Sequence, residues 1–217
     1  FSPDGTKVAV TISDGACSRL EIFDFDQNTG EMTEYALLDL GCNNDQVYGL
    51  EFSNDGSRVY VSYRGGNGKI DEFLIQAPEQ TGNNPIPCAT CFSSATTRPQ
   101  REACILNSTV RNTLTTSGPF GALQIGPDGQ IYVARPGQNV LGTINAGQDC
   151  NRSAYNENGT STLLGTSNLG LPSFVQQSGS SIPEPALAGT PFLCIDPQNG
   201  ALGEFEGGGE PDIDSYF

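Results

Sequence analysis

Short apolar runs alternate with polar residues along most of this chain, punctuated by glycine, proline, asparagine and aspartate. One pattern recurs. Phe1-Ser2-Pro3-Asp4-Gly5-Thr6-Lys7-Val8-Ala9-Val10 returns as Phe52-Ser53-Asn54-Asp55-Gly56-Ser57-Arg58-Val59-Tyr60-Val61, and again as Ile125-Gly126-Pro127-Asp128-Gly129-Gln130-Ile131-Tyr132-Val133. Each copy is the apolar end of one strand, a tight turn and a second strand. After the turn the alternation has a period of two, which places successive side chains on opposite faces of a sheet and argues against helix. The pairs Asp4-Gly5, Asp55-Gly56 and Asp128-Gly129 suit a hairpin turn. Aspartate hydrogen-bonds to the backbone just ahead of it, and glycine adopts positive φ without a Cβ clash. Carboxylates that recur at one position invite a catalytic interpretation, but these six residues are read as structural.

The copies begin 51 and 73 residues apart. A four-stranded propeller blade takes about 40–50 residues. The first spacing is one blade. The second is one blade with an excess, which falls in residues 78–101, a stretch containing Pro, Asn, Thr and Cys without periodicity. An inserted loop is expected there. Strands are expected at 7–12, 19–24 and 33–40 in the first blade. The second blade has strands at 48–52, 58–62 and 69–75, with an outer strand near 104–110. The third has strands at 121–125, 130–134 and 140–145, with an outer strand before Leu164. No stretch reads as a helix of three turns. The fold class is therefore all-β, a partial β-propeller of about three four-stranded blades.

Phe1 already lies inside a strand-turn motif, so the chain is expected to be a fragment truncated at both ends. Residues 171–176 are expected to be the last propeller strand, the inner strand of a closing blade shared with segments upstream of Phe1. The propeller fragment occupies 1–177 and a Ser-, Gly- and Pro-containing linker 178–190. Residues 191–217 read as the start of a second domain.

Composition narrows the function. Hydrophobic residues make up 36% of the 217, aromatics 8%, and tryptophan is absent, so the core is modest. Ten basic residues against 25 acidic ones leave a net charge of −15. A nucleic-acid partner needs a basic surface to release counterions, so none is expected, and anionic lipid is disfavoured too. There is no long apolar run, so no membrane insertion is expected. Histidine is absent. That removes Ser–His and Cys–His catalytic pairs and any His-containing zinc site.

Seven cysteines, with Asn-x-Ser/Thr sequences at Asn107, Asn151 and Asn158, point to an oxidising, extracellular or cell-surface setting. Cys17 precedes the third strand of the first blade and Cys42 follows the fourth. Antiparallel neighbours bring those two ends together, so a Cys17–Cys42 disulfide is expected. Cys88, Cys91, Cys104 and Cys150 are expected to pair among themselves, in a pattern the sequence leaves open. Cys194 belongs to the second domain and is expected to be alone.

Four blocks stand in a fixed order: Gly121-Ala-Leu-Gln-Ile-Gly-Pro-Asp-Gly-Gln-Ile-Tyr-Val-Ala, Leu141-Gly-Thr-Ile-Asn, Cys150-Asn, and Gly170-Leu-Pro-Ser-Phe-Val-Gln. With the Ser-Pro-Asp-Gly repeat, they resemble the YVTN-type, WD40-like propeller modules of large secreted surface proteins of gliding bacteria, exported by type IX secretion. The resemblance covers about residues 1–177. It implies a propeller in a gliding-motility-associated surface protein, commonly followed by a PKD-type β-sandwich. Cys194, Phe205 and Asp214-Ser-Tyr-Phe resemble the opening of such a domain.

Several motifs carry a sharper and a plainer interpretation. Asp24-x-Asp26-x-Asn28-x-Gly30 looks like a calcium loop. An EF-hand, however, has its glycine at position 6 and a glutamate at 12, whereas this loop has glycine at 7 and Tyr35 at 12, so an ordinary turn is expected. Cys88-x-x-Cys91 with Cys104 offers three zinc ligands where four are needed, so disulfides are expected. Glu204, Glu206, Glu210, Asp212 and Asp214 read as a solvated acidic surface, with weak calcium binding as the alternative; no cofactor is expected. Tyr60 and Tyr132 read as packing between blades.

On the channel-side strands the polar residues are Glu51, Gln124 and Ser173, which make no catalytic constellation. The function expected is a non-catalytic recognition or spacer module, such as part of an adhesin. Its partner is an unidentified protein or glycan, together with the rest of the same polypeptide. The alternative is a lactonase-like propeller hydrolase.

Overall fold

The computed structural model describes residues 1–14, 17–42, 46–65, 68–78, 88, 90–108, 111–147, 150–171, 193–195 and 202–204. The chain divides into two compact units, Phe1–Gly179 and Ser180–Phe217. In the first, three antiparallel sheets follow one another along the sequence, each a simple meander. Sheet 1 runs β1 (Lys7–Ser13), β2 (Ser18–Phe25), β3 (Met32–Gly41). Sheet 2 runs β4 (Val47–Phe52), β5 (Arg58–Tyr63), β6 (Ile70–Leu74), β7 (Asn112–Thr115). Sheet 3 runs β8 (Leu123–Ile125), β9 (Ile131–Val133), β10 (Gly142–Asn145), β11 (Ala154–Asn156). The second unit has a described pair, β12 (Leu193–Ile195) antiparallel to β13 (Leu202–Glu204). Among the described residues the helices are two short ones, α1 (Thr90–Ser94) and α2 (Arg98–Asn107), and the fold is all-β.

The repeated turns form for the local reasons the sequence gives. Gly5, Gly56 and Gly129 sit at φ of 69°, 67° and 77°. Asp4 Oδ1 accepts the Thr6 amide at 3.0 Å and the Ser2 hydroxyl at 2.5 Å. Asp55 Oδ1 accepts the Ser57 amide at 3.1 Å and the Ser53 hydroxyl at 2.6 Å. Asp128 Oδ1 accepts the Gln130 amide at 3.1 Å. Gly126 stands where the other copies have serine and offers no such hydroxyl; the second aspartate oxygen, which takes the Thr6 or Ser57 hydroxyl in the first two copies, takes the Tyr132 hydroxyl at 2.8 Å in the third.

Sheet 2 is the centre of the unit. All six residues of β5 are buried, because alternate side chains enter two different cores. Val59, Val61, Tyr63 and Phe73 pack with Leu20, Ile22 and Leu38 of sheet 1. Tyr60 and Ile70 pack with Leu123, Ile131, Val133 and Ile144 of sheet 3. Burying an aliphatic or aromatic side chain of this size is worth about 1.5–3 kcal/mol, so these two layers are what hold the three sheets together.

Two expectations fail within sheet 2, between β6 and β7. The insertion is not simply a loop, and Cys104 does not begin an outer strand. Residues 98–107 form α2, and β7 at Asn112–Thr115 takes the outer position. The Gln100 side chain reaches back to the Thr97 amide at 3.0 Å, and Pro99 lies in the first turn, both helix-start features. Cys104 and Ile105 are the helix's only buried residues, so an apolar stripe is almost missing.

Side-chain contacts and a disulfide fix α2 in place. Glu102 accepts the Leu37 amide at 2.8 Å, Arg101 donates to the Tyr35 carbonyl at 2.9 Å, and Arg98 pairs with Glu34. The helix thereby covers β3, the edge strand of sheet 1, whose open backbone groups would otherwise be free to pair with another chain.

Disulfides join Cys17 to Cys42, Cys88 to Cys150 and Cys91 to Cys104. The closing strand expected at 171–176 is described only at Leu171. The linker and the Cys194 side chain lie outside the described residues, as does the PKD-like opening apart from the backbone of β12 and β13.

Candidate functional site

The first strands of sheets 2 and 3, β4 and β8, lie side by side and carry Glu51 and Gln124. Glu51 is buried at 8% exposure. One of its carboxylate oxygens accepts the Phe52 amide and the other the Ile125 amide, each at 3.0 Å. It is thus a clip from sheet 2 to the main chain of β8. Gly49, two residues earlier, allows this approach: a Cβ there would come within 2.6 Å of the Gly121 carbonyl and 2.8 Å of the Leu123 nitrogen. Ser173, the third channel-side candidate, lies outside the described residues.

Deeper between the same sheets is a group that the sequence did not single out. Arg58 and Glu72 meet diagonally across β5 and β6 with both side chains fully buried and 3.1 Å between Nε and Oε1. Ser153, in the segment leading to β11, donates its hydroxyl at 2.5 Å and its amide at 3.2 Å to Glu72. Its hydroxyl oxygen also lies 2.7 Å from the Tyr60 hydroxyl. Arg58 donates to the Asn151 carbonyl at 3.1 Å. The Cys88–Cys150 bridge anchors this segment.

Burial pushes the Glu72 carboxyl above the usual range, even though Ser153 and Arg58 pull the other way. It also raises the Tyr60 hydroxyl, with the Glu72 charge adding to the effect. At Asp55 burial likewise pushes upward, but the Ser53 and Ser57 hydroxyls outweigh it and hold the carboxyl below its ordinary value. A sequence signal for the Arg58–Glu72 pair did exist: Arg58 opens the strand Arg-Val-Tyr-Val, and Glu72 stands directly before Phe73 and Leu74 in the next one.

The outer face of sheet 3 is different. Gln124, Ile125, Gly126, Pro127, Tyr132, Leu141 and Leu171 line a groove of about 310 Å³. That is at the small end of the roughly 300–1,000 Å³ usual for ligand sites. Gln124 is half-buried there, and so is Tyr132. Only Tyr60, fully buried, packs between two described sheets; Tyr132 does not, because no described sheet covers its side.

The remaining candidates resolve into local structure. Asp26 Oδ1 accepts the amides of Asn28 and Thr29, and the Gly30 amide donates to the Asp26 carbonyl, which makes that motif a turn between β2 and β3. Cys88, Cys91 and Cys104 are all in disulfides. Among the described residues no three His, Cys, Asp or Glu side chains are grouped to hold a metal, and no helix is long and apolar enough to cross a membrane. Of the acidic cluster, Glu204 ends β13 and the rest lies outside the described residues.

No protein-family model, curated protein or solved structure matches this chain. What the arrangement can do must be argued from its own chemistry. A fully buried ion pair closed in by Ser153 and Asn151 presents no face to a substrate. A carboxylate whose two oxygens each hold a main-chain amide is poorly placed to act as base or nucleophile.

Proposed function

We propose that residues 1–177 are part of a β-propeller in a secreted or cell-surface protein, acting there as a non-catalytic recognition or spacer module. One observation carries this reading. The conspicuous carboxylates of the three sheets, Asp4, Asp55, Asp128, Glu51 and Glu72, are each engaged by backbone amides or by hydroxyls of the fold itself. The polar chemistry of the module is spent on turns and on joining sheets.

Three meanders in chain order, joined face to face and each begun beside the same turn motif, support the propeller architecture. Three disulfides support an oxidising compartment. The resemblance of the repeat and the four sequence blocks to surface proteins of gliding bacteria supports a module within a longer polypeptide that meets a protein or glycan.

The test uses the intact secreted protein, assayed for turnover of lactones and carboxylic esters and, in parallel, for binding to arrayed glycans and extracellular proteins. Absence of turnover is expected. Hydrolysis that disappears in Gln124→Ala, with circular dichroism unchanged, would overturn the assignment in favour of a lactonase-like enzyme.

A further inference from the structure

Sheets 2 and 3 are built on one register: Glu51 pairs with Tyr60 across β4 and β5, and Gln124 with Tyr132 across β8 and β9. The Asp-Gly turn closes one end of each hairpin. The opposite end is a rim, which stacking of the sheet faces leaves uncovered. In sheet 2 the rim lies where Val47 pairs with Tyr63. Gln46 directly precedes β4, Tyr48 is its second residue, and Arg64 directly follows β5.

Gln46 holds Arg64 twice. The Arg64 amide donates to the Gln46 carbonyl at 2.9 Å, and Arg64 Nε donates to Gln46 Oε1 at 3.0 Å. The guanidinium carbon stands 5.8 Å from the centroid of the Tyr48 ring. Arg64 is exposed, and Tyr48 is 40% exposed. Arg64 Nη1 and Nη2 have no partner among the described residues. In a chain with 25 acidic residues against ten basic ones, an anchored guanidinium without a carboxylate stands out. Lys7, Arg58, Lys69, Arg98 and Arg135 each meet one. Arg101, also anchored, spends its nitrogens on the carbonyls of Tyr35, Thr96 and Glu34.

The hairpin itself does not require these side chains. Arg64 stands three residues past Val61, and three past the matching Val133 sheet 3 has Pro136. Tyr48 stands two before Leu50, and two before the matching Leu123 is Gly121.

We propose that Arg64 and Tyr48, positioned by Gln46, form a subsite for a sugar acid: a pyranose bearing one carboxylate at the end of a glycan chain. The Nη1–Nη2 fork matches the two oxygens of a carboxylate and donates to both. The Tyr48 ring is rigid, apolar on its face and polar at its tip, which suits a sugar ring with C–H and hydroxyl surfaces. A peptide carboxylate would need the arginine alone. The net charge of −15 repels polyanions, so the fit is to a single terminal carboxylate and not to a run of them. This rests on the recognition-module reading above and gives that module its ligand class.

The test is an NMR titration of the intact secreted protein with a trisaccharide ending in one glucuronate. Its glucose-ended counterpart, its methyl ester and a Ser/Gly peptide with one glutamate are titrated in parallel. The glucuronate-ended sugar is expected to bind about ten- to a hundredfold more tightly than the glucose-ended one, as for hydrogen bonds to a charged group. Arg64→Gln should abolish that difference, and Tyr48→Ala should weaken both sugars. Arg111→Gln, which removes an exposed cation beside β7, should change neither. Three results overturn the subsite and leave the non-catalytic reading standing. They are no preference for the glucuronate end, an equal loss in Arg111→Gln, and peptide binding as tight as the sugar acid's and indifferent to Tyr48→Ala. The last would assign the arginine to an acidic protein partner. Release of methanol from the methyl ester would instead reject the non-catalytic reading, and this subsite with it.

Discussion

Sheets 2 and 3 share a turn motif, a register and a meander, yet their interiors differ in kind. Sheet 2 has neighbours on both faces and carries a fully buried Arg58–Glu72 pair. At the equivalent positions sheet 3 has Gln130 and Thr143, and one of its faces is a groove. A buried ion pair is tolerable only with further hydrogen bonds to its members, and in sheet 2 Asn151 supplies one to Arg58 and Ser153 two to Glu72. The comparison teaches that the repeat specifies each hairpin, while the neighbour decides what polar groups its face can hold.

The sharpest way to break this contrast is to remove one partner of the pair. Glu72→Leu leaves the Arg58 guanidinium and the Ser153 hydroxyl and amide buried without their acceptor and is expected to lower unfolding free energy by about 3–5 kcal/mol in urea titrations. Thr143→Val, at the matching site in sheet 3, is expected to cost less than about 1 kcal/mol. Equal losses at the two sites would mean that the sheets differ only in composition.

A smaller effect is expected where the two sheets touch. Gly49→Ala drives a methyl into the Gly121 carbonyl and should destabilise by about 1–3 kcal/mol. Sheet 3 already carries alanine at the equivalent position, and Ala122→Gly is expected to lose only about 0.5–1 kcal/mol through backbone freedom. Thermal melts of the two variants measure the difference.

The smallest effect is the pH dependence. Glu72 keeps its proton to a higher pH in the folded protein than in the unfolded chain. Between those two values the folded state binds more protons, so stability falls as pH rises through that window. Asp55 is depressed when folded. Its contribution is present above the ordinary aspartate value and is lost as pH falls through the folded one. Urea midpoints measured against pH should therefore lose their falling limb in Glu72→Gln and part of their acid limb in Asp55→Asn. A Glu72→Gln profile parallel to that of the unaltered protein would count against the burial of that carboxylate.

Much of the fold was legible because its signals are short-range. The three Asp-Gly turns need only residues within five positions of one another, and strands began where the alternation did. Helix α2 was not legible, since it buries only Cys104 and Ile105 and is held by arginines and a glutamate meeting a strand more than sixty residues away. The role of Glu51 was half visible. Its place at the end of a strand leading into the turn followed from the repeat, but its attachment to the Ile125 amide depends on how two sheets come together.

The sequence by itself determined the all-β class, the hairpin positions and the fact that Cys17 and Cys42 stand at one end of neighbouring strands. These follow from φ, local hydrogen bonds and two-residue alternation, which act between residues close along the chain. The tertiary structure alone decided that Cys88 meets Cys150 and Cys91 meets Cys104. It alone decided that Arg58 and Glu72 form a sealed pair, and that two tyrosines at one repeat position have different surroundings. The Tyr60 hydroxyl meets Ser153, 93 residues away, whereas the Tyr132 hydroxyl turns back to Asp128 in its own hairpin. Identical local geometry cannot distinguish those outcomes, because the difference lies in whether another sheet excludes water from that face.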